Sequence, residues 1–369
     1  MQKLSLLVFL ICCAEMSSAQ SPCSDDAILN MKGTWKKRPD ANMRSDKNIT
    51  GIYKRIENIS DLFKAAYPDP KGIEPNWYRT MPNNPIVSNG PTPYTFNTLY
   101  FSWYCNQHLK KMMLSDETAT WAWAHVNHFG WFLTDQYDLL PIKVNDNAVY
   151  MLPRKEGEWK NYPLYATSAG GEKSHCIILL HGDQLPWKPI SQEQYLKAIK
   201  AQYEDQRKKT SDGYLAQEEN IKNSIASNNK STYLKEADKE KINAGLQKRL
   251  DEIEKTKDQN IRGMNKYIDD KIAVIDNYLG KTDAATLAGP AIIDKNVINE
   301  FKGQFATEQK GGHMLVTTNP AYFNMKLPKH APQIIVLLWT WGKSAAELDF
   351  KKQFEENFPV ERLKSMLDK

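Results

Sequence analysis

Residues 242–279 read INAGLQKRLDEIEKTKDQNIRGMNKYIDDKIAVIDNYL, and this stretch carries the clearest periodicity in the chain. Its apolar residues recur in steps of four, four and three, with Lys257 as the one polar member of the series. An 11-residue repeat keeps an apolar stripe on one face of a nearly straight helix. The pattern therefore predicts a single long helix over about 232–279. The stripe consists of Ile242, Leu246, Leu250, Ile253, Ile261, Met264, Ile268, Ile272, Ile275 and Leu279.

A second long helix is predicted just before it. Ser191 and Gln194 have the spacing of a capping box and follow Pro189 directly. The run Asn228-Asn229-Lys230-Ser231 is typical of a turn between two helices. The segment 191–280 holds 17 Lys/Arg and 16 Asp/Glu but no Pro, Trp, Phe or Cys, as expected for helices exposed on most of their surface. We therefore predict an antiparallel, coiled-coil-like helical hairpin.

The flanking sequence predicts an α+β body. Short apolar runs bounded by Gly, Pro or Asn are typical of strands, and an amphipathic helix is expected over 50–66. We predict a body with a mixed or antiparallel sheet, formed by residues 20–190 and 286–369 and interrupted by a hairpin arm over 191–285. The strand candidates are Tyr94–Cys105, Ala148–Leu152, His175–Leu180, Met314–Thr318 and Gln333–Trp341.

The N-terminal residues have the pattern of a secretory signal peptide. Lys3 precedes an apolar run, and small residues ending at Ala19 precede Gln20. The run is too short to span a bilayer, which needs roughly 20 apolar residues. We predict a signal peptide over 1–19, cleaved between Ala19 and Gln20, and export to the periplasm, the cell surface or the medium. Because no later apolar run is longer, the chain is not expected to span a membrane.

Three cysteines, Cys23, Cys105 and Cys176, follow the predicted cleavage position. An odd number allows one disulfide and one free thiol in an oxidising compartment, and the sequence leaves the pair open. The net charge of +5 is small for 369 residues and is not concentrated in a long basic run. Nucleic-acid binding is therefore not expected.

One segment offers a candidate binding surface. If residues 121–131 form a strand, Trp121, Trp123, His125, Asn127 and Trp131 share one face. Indole rings together with an imidazole and an amide would suit a sugar, so this face predicts a possible carbohydrate site. The alternative is that the aromatic rings belong to the core, with the small residues on the opposite face lying under a helix.

The sequence contains no complete catalytic, metal or cofactor motif. His125 and His128 have no assignable third ligand. His181-Gly182 follows a predicted strand, but the Gly-x-Ser-x-Gly element of α/β hydrolases is missing. We therefore expect no metal and no cofactor.

The function expected from these patterns is that of an exported, non-enzymatic protein. Its helical arm would bind a protein partner or associate with a second copy of the chain. Two alternatives stay open. One is an exported hydrolase whose active site is dispersed along the sequence, and the other is a carbohydrate-binding protein.

Overall fold

The computed structural model describes residues 24–83, 85–106, 108–129, 132–133, 142–167, 174–182, 184–294 and 300–369. These residues form a mixed α and β structure with two sheets and a long pair of helices, which confirms the predicted α+β class and the hairpin insertion. The predicted signal segment, Cys23 and Trp131 lie outside the described residues. The described helices are α1 Asp25–Leu29, α2 Ile49–Ala66, α3 Gln192–Lys230, α4 Glu236–Lys281, α5 Ala284–Ala288, α6 Ala345–Asn357 and α7 Val360–Lys364.

The described strands belong to a nine-stranded sheet and a five-stranded sheet. The predicted strand segments are all found, with ends that differ by at most one residue. The strands are β1 Lys36–Lys37, β2 Ile73–Thr80, β3 Tyr94–Asn106, β4 Lys111–Leu114, β5 Trp121–Val126, β6 Lys143–Val144, β7 Asn147–Met151, β8 Lys155–Trp159, β9 Tyr162–Thr167, β10 Ser174–Leu180, β11 Trp187–Pro189, β12 Ile292–Ile293, β13 His313–Thr318 and β14 Ile334–Thr340.

The chain divides into two compact units. The first, here the body unit, comprises Met1–Thr134, Pro153–Pro186 and Thr318–Lys369 and contains the nine-stranded sheet. The second, the hairpin unit, comprises Asp135–Leu152 and Trp187–Thr317. This division differs from the segments expected from the sequence, because the hairpin is grouped with strands from both sides of it.

The body unit is built on a sheet with the order β1-β2-β3-β5-β14-β10-β9-β8, and β4 pairs with β3. The pair β1–β2 is parallel, whereas β2–β3, β3–β5, β5–β14 and β14–β10 are antiparallel. β14 occupies a central place, and all seven of its residues are buried. A strand that is buried on both faces needs a continuous apolar sequence, which Ile334–Trp339 supplies.

Helices α2 and α6 cover one face of this sheet. Phe63 of α2 contacts Phe96 of β3 and Phe354 of α6, with ring centroids 4.6 and 5.6 Å apart. α6 begins at a capping box in which Ser344 and Glu347 satisfy each other's backbone amides, as the Ser-x-x-Glu spacing predicts. Amphipathic α2 buries its apolar residues in the same cluster: Ile52, Ile56, Ile59, Leu62 and Phe63.

The hairpin unit has a smaller sheet with the order β11-β13-β7-β6, and β12 pairs with β13. Its core joins this sheet to the base of the hairpin, where Tyr195 of α3 and Ile268 of α4 lie in one apolar cluster with Leu315 of β13. The chain enters the hairpin and leaves it at adjacent points. The backbone amide of Gln192, at the start of α3, donates to the carbonyl of Gly289, which follows α5, over 2.9 Å.

The turn of the hairpin lies a few residues later than the sequence indicated. α3 continues through Asn228 to Lys230, and α4 begins at Glu236 rather than near residue 232. The reason is that the Asn228 amide donates to Asn243 over 3.2 Å, while the Asn243 amide donates to Asn229 over 2.6 Å. Their side chains therefore bridge the two helices. Within the described residues, no helix combines the length and apolarity needed to cross a bilayer.

Candidate functional site

The predicted aromatic face lies on β5, between β3 and β14 in the body sheet. Strand geometry separates its residues into two faces, as expected. Ala122, Ala124 and Val126 belong to the core cluster that also contains residues of α2 and α6. Small side chains at these positions leave room for the helical layer, so the opposite face of the strand carries the larger residues.

The larger residues of β5 form a continuous row. Trp121 stacks on Trp123 with a centroid separation of 4.2 Å and an interplanar angle of 24°. Trp123 meets the His125 ring edge to face at 5.7 Å. Trp121 is 7 % exposed and His125 is 6 % exposed, whereas Trp123 is half-buried. The row is therefore covered along most of its length.

His125 is a neutral imidazole at pH 7. Its Nδ1 lies 3.0 Å from the Thr95 hydroxyl on β3, while its Nε2 is buried and makes no hydrogen bond in the described structure. Burial lowers the pKa of His125 to about 3, with a smaller contribution from His128, and burial lowers the pKa of His128 to about 4. The two rings are 5.8 Å apart. A pair of buried neutral imidazoles adds no charge to this face.

The side chain of Asn127 makes structural hydrogen bonds to backbone groups. Asn127 has a positive φ of 55°, a conformation that Asn adopts more easily than most residues. Its side-chain amide nitrogen donates to the carbonyls of Thr92 and Ala331, over 3.2 and 3.0 Å. Its side-chain oxygen accepts from the backbone amide of Gln333 over 2.8 Å. The side chain is fully buried. With its hydrogen-bonding capacity used in this way, it ties the end of β5 to the segment before β14.

The structure thus brings Trp121, Trp123, His125 and Asn127 together but leaves little of them exposed. Trp131 and the predicted cleavage residues Ala19 and Gln20 lie outside the described residues. Trp121, His125 and Asn127 are buried, and Trp123 is half-buried. In the described part of the chain, no three His, Cys, Asp or Glu side chains are grouped as metal ligands.

A second polar group, which the sequence did not predict, lies around His175 on β10. The carboxylate of Glu355 on α6 accepts from His175 Nδ1 over 2.8 Å and from Trp339 Nε1 over 3.0 Å. Lys351 Nζ lies 3.3 Å from the same carboxylate. These donors lower the pKa of Glu355, although burial opposes them. No local motif marks this cluster, because strands and a helix far apart in sequence build it.

His181 lies in another such group, at the end of β10. Its ring is 4.6 Å from that of Tyr322, and its Nδ1 is 3.7 Å from the Asp368 carboxylate. The Tyr322 hydroxyl accepts from the His181 backbone amide and donates to the Gln333 carbonyl. In the described residues of this group there is no Ser, Cys or Thr placed as a nucleophile beside the imidazole. The group therefore ties the end of β10 to the C-terminal segment.

The hairpin is formed by the two longest helices of the described chain. Cross-helix ion pairs join Lys200 to Asp276 over 2.7 Å and Lys257 to Glu218 over 2.9 Å. Lys257, the polar member of the periodic series, is therefore matched by a carboxylate on the other helix. From 204 to 267, a segment here named the distal hairpin, Ile221 and Leu250 are the buried residues.

The tip of the hairpin presents a fully exposed aromatic residue. Tyr233, in the connection between α3 and α4, is 97 % exposed. The neighbouring Asn228, Asn229 and Asn243 bridges hold the two helix ends together. Leu215 and Ile242 of the distal hairpin are also exposed, by 52 % and 43 %. The sequence marks this exposed tip only by the presence of one aromatic residue, Tyr233, in a polar turn.

Comparison with known proteins adds no functional information. No protein-family model, no curated protein and no solved structure matches this chain. Its function must therefore be argued from its own residues.

Proposed function

We propose that this protein is exported and binds another protein through its distal hairpin. The observation that carries the proposal is the contrast between the length of α3 and α4, 39 and 46 residues, and the two side chains that the distal hairpin buries. Burial of one large aliphatic side chain contributes about 1.5–3 kcal/mol to stability. The stability of the fold therefore does not explain why the chain extends these helices so far beyond the core of the hairpin unit.

The polar contacts of the distal hairpin favour a stiff rod over a loose extension. Lys257 pairs with Glu218, and the Asn260 side-chain amide donates to the Tyr214 hydroxyl. Just beyond the boundary of the distal hairpin, Asp269 pairs with Arg207. Each contact joins α3 to α4, so the contacts fix the register of the two helices without widening the apolar seam. A stiff, charged rod holds a binding residue in place and loses little conformational entropy when it binds.

Tyr233 is the residue best placed to anchor a partner. Tyrosine is enriched at the energetic centres of interfaces, because it offers a large rigid surface and one polar atom. Here it is 97 % exposed at the tip, beside the side-chain bridges between Asn228, Asn229 and Asn243. A preformed tip with one exposed aromatic ring fits an apolar pocket on a protein partner.

The proposal is tested with the full chain and a shortened variant. In the variant, a short Gly/Ser turn replaces residues 212–262, so that the basal residues Tyr195, Ile268 and Ile275 keep their core. We expect an affinity capture from the native envelope or secreted fraction to retain a protein with the full chain and to lose it with the variant. Recovery of the same protein by both chains, or of none by either, would contradict the proposal.

Two controls accompany this experiment. Circular dichroism and tryptophan fluorescence must show that the shortened variant is folded, because all ten tryptophans lie outside 191–280. Size-exclusion chromatography with light scattering separates a foreign partner from self-association. A dimer that forms with the full chain and not with the variant would make the second copy the partner.

Export is the part of the proposal that rests on the N-terminal sequence. It is supported by Cys105, which is disulfide-bonded, whereas Cys176 is a free, buried thiol. Stable disulfides are typical of oxidising compartments. N-terminal sequencing of protein from the native source is expected to start at Gln20, and an N-terminus at Met1 on intracellular protein would contradict export.

A further inference from the structure

A cavity of about 290 Å³ lies in the hairpin unit, beside the first turn of α3. Its described lining comes from α3, from residues 292–294 and from the segment 300–310. A volume of this size approaches the lower end of the range for small-molecule sites, roughly 300–1,000 Å³. It is distinct from the distal hairpin, and the proposed function does not use it.

Aromatic rings form one side of the cavity. Tyr195, Phe301 and Phe305 line it, and Tyr278 of α4 packs behind them. The centroids of Phe301 and Phe305 are 5.1 Å apart, and those of Tyr195 and Phe305 are 5.8 Å apart. Phe305 is half-buried and lines the cavity. Such a wall favours a flat apolar ligand, because aromatic faces offer stacking and edge contacts.

The charged residues of the lining favour a ligand with a negative charge. Two carboxylates, Asp294 and Glu300, also line the cavity, and neither of them is free. Asp294 has an interaction partner, and Glu300 is paired with Lys271, whose hydrogen bond lowers the pKa of Glu300. The two lysines of the lining, Lys302 and Lys310, are exposed. The charge of Lys302 also lowers the pKa of Glu300, but neither lysine forms an ion pair within the described residues. Their ammonium groups are therefore available to an anion at the edge of the cavity.

A buried hydroxyl supports the same conclusion. The Tyr195 hydroxyl is buried and makes no hydrogen bond in the described structure. Burial raises the pKa of this phenol, so it remains a hydrogen-bond donor at physiological pH. A buried donor without an acceptor is destabilising. A ligand oxygen that reached this hydroxyl would supply the missing hydrogen bond.

We propose that this cavity is a binding site for a small aromatic anion, a planar apolar ring system that carries a carboxylate or a sulfonate. The rings of Phe301, Phe305 and Tyr195 would contact the apolar part, and Lys302 and Lys310 would pair with the acidic group. The inference does not depend on the hairpin's binding a protein, since no residue of the distal hairpin takes part.

The test uses the full chain and 8-anilinonaphthalene-1-sulfonate, a fluorescent aromatic anion. We expect saturable binding with one site per chain. Phe305→Ala removes a ring from the cavity lining, and the affinity of this variant for the sulfonate is expected to fall about tenfold. The double change Lys302→Gln/Lys310→Gln removes two exposed charges and is expected to weaken binding about fivefold, an effect that disappears at high salt. Phe305→Leu keeps an apolar side chain and is expected to lie between Phe305→Ala and wild type.

Controls make each outcome decisive. Lys208→Gln/Lys209→Gln removes two exposed lysines of the distal hairpin and is expected to leave the affinity unchanged. N-phenyl-1-naphthylamine, a neutral probe of similar shape, is expected to bind more weakly than the sulfonate. The proposal fails if the sulfonate does not saturate, if the neutral probe binds equally well, or if the two lysine pairs have the same effect. A shortened hairpin that still binds the sulfonate would separate this result from the protein partner.

Discussion

The body unit and the distal hairpin stabilise their structures in opposite ways. The body unit buries large rings in a continuous core, where Phe63, Phe354 and Trp339 lie in one cluster without exposure. The distal hairpin, from 204 to 267, buries Ile221 and Leu250, and polar contacts such as the ion pair between Lys257 and Glu218 join its helices. A substitution in the core of the body unit is therefore expected to cost more unfolding free energy than one on the hairpin surface.

The largest effect is expected from Phe354→Ala in the body unit. The Phe354 ring contacts Phe63, Trp339 and Phe350, with centroids about 5.5 Å apart. Removing a buried ring leaves a cavity and costs about 3–5 kcal/mol of unfolding free energy. Urea unfolding followed by tryptophan fluorescence measures this loss. Leu215→Ala, at an exposed site on α3, is the matched control and is expected to have no measurable effect.

Acid is expected to destabilise the body unit before it affects the hairpin. Unfolded histidine takes up a proton below its ordinary pKa of 6.5, but the folded pKa values of His125 and His128 are about 3 and about 4. The contribution of these two histidines to stability is therefore fully present above pH 6.5, and it is lost as the pH falls towards the folded pKa values. Between about pH 6 and pH 4.5, the unfolding free energy falls by about 1.4 kcal/mol per pH unit for each histidine.

Thermal unfolding between pH 7 and pH 4.5 measures this slope. His125→Gln cannot be protonated and is expected to reduce the slope by the share of one histidine, whatever its effect on stability at pH 7. The hairpin segment 191–280 contains no histidine, so its ellipticity should not change in this range. If His125→Gln had the same pH dependence of stability as wild type, the lowered pKa of His125 in the folded protein would be contradicted.

A smaller effect is expected for the ion pair inside the hairpin. Lys257 and Glu218 have side chains that are 21 % and 13 % exposed, so this pair is less solvated than most of the surface. Lys257→Ala leaves the carboxylate without its partner and is expected to lower hairpin stability by about 1–2 kcal/mol. Lys257→Leu/Glu218→Leu is expected to restore or exceed the original stability, because it extends the apolar stripe. Far-UV circular dichroism during heating distinguishes the two variants.

The smallest effect on stability is expected at the tip. Tyr233 is 97 % exposed, so Tyr233→Ser should change the unfolding free energy by less than about 0.5 kcal/mol. The same change is expected to weaken capture of the protein partner at least tenfold, which is typical of a central interface residue. Capture that is unaffected by Tyr233→Ser and abolished by shortening the hairpin would place the contact on the sides of the helices instead.

The sequence predicted those features that depend on neighbouring residues. Both capping boxes, at Ser191 and Ser344, occur as predicted, and the periodic stripe correctly placed α4. The end of α3 was placed too early because Asn228 and Asn229 are turn formers whose side chains here bond to Asn243 instead. That contact depends on the antiparallel pairing of two helices, which a local pattern cannot specify.

The candidate site could be predicted only in part. Alternation along β5 correctly grouped Trp121, Trp123 and His125 on one face. The sequence could not decide between an exposed and a buried face, since burial depends on segments distant along the chain. Asn127 illustrates the difficulty, because its partners Ala331 and Gln333 lie about 200 residues away. Nor could local spacing reveal the aromatic cavity, which joins residues of α3 to the segment 300–310.

The central position of β14 has a consequence for the order in which the chain folds. Residues 334–340 pair with β5 on one side and with β10 on the other, yet they are synthesised after most of the chain. The hairpin can form earlier, because its contacts are between two helices adjacent in sequence. Until β14 arrives, β5 and β10 each lack one neighbouring strand, and such open edges are prone to aggregation. A nascent chain that stalls before residue 334 therefore exposes two strand edges that β14 covers in the folded protein.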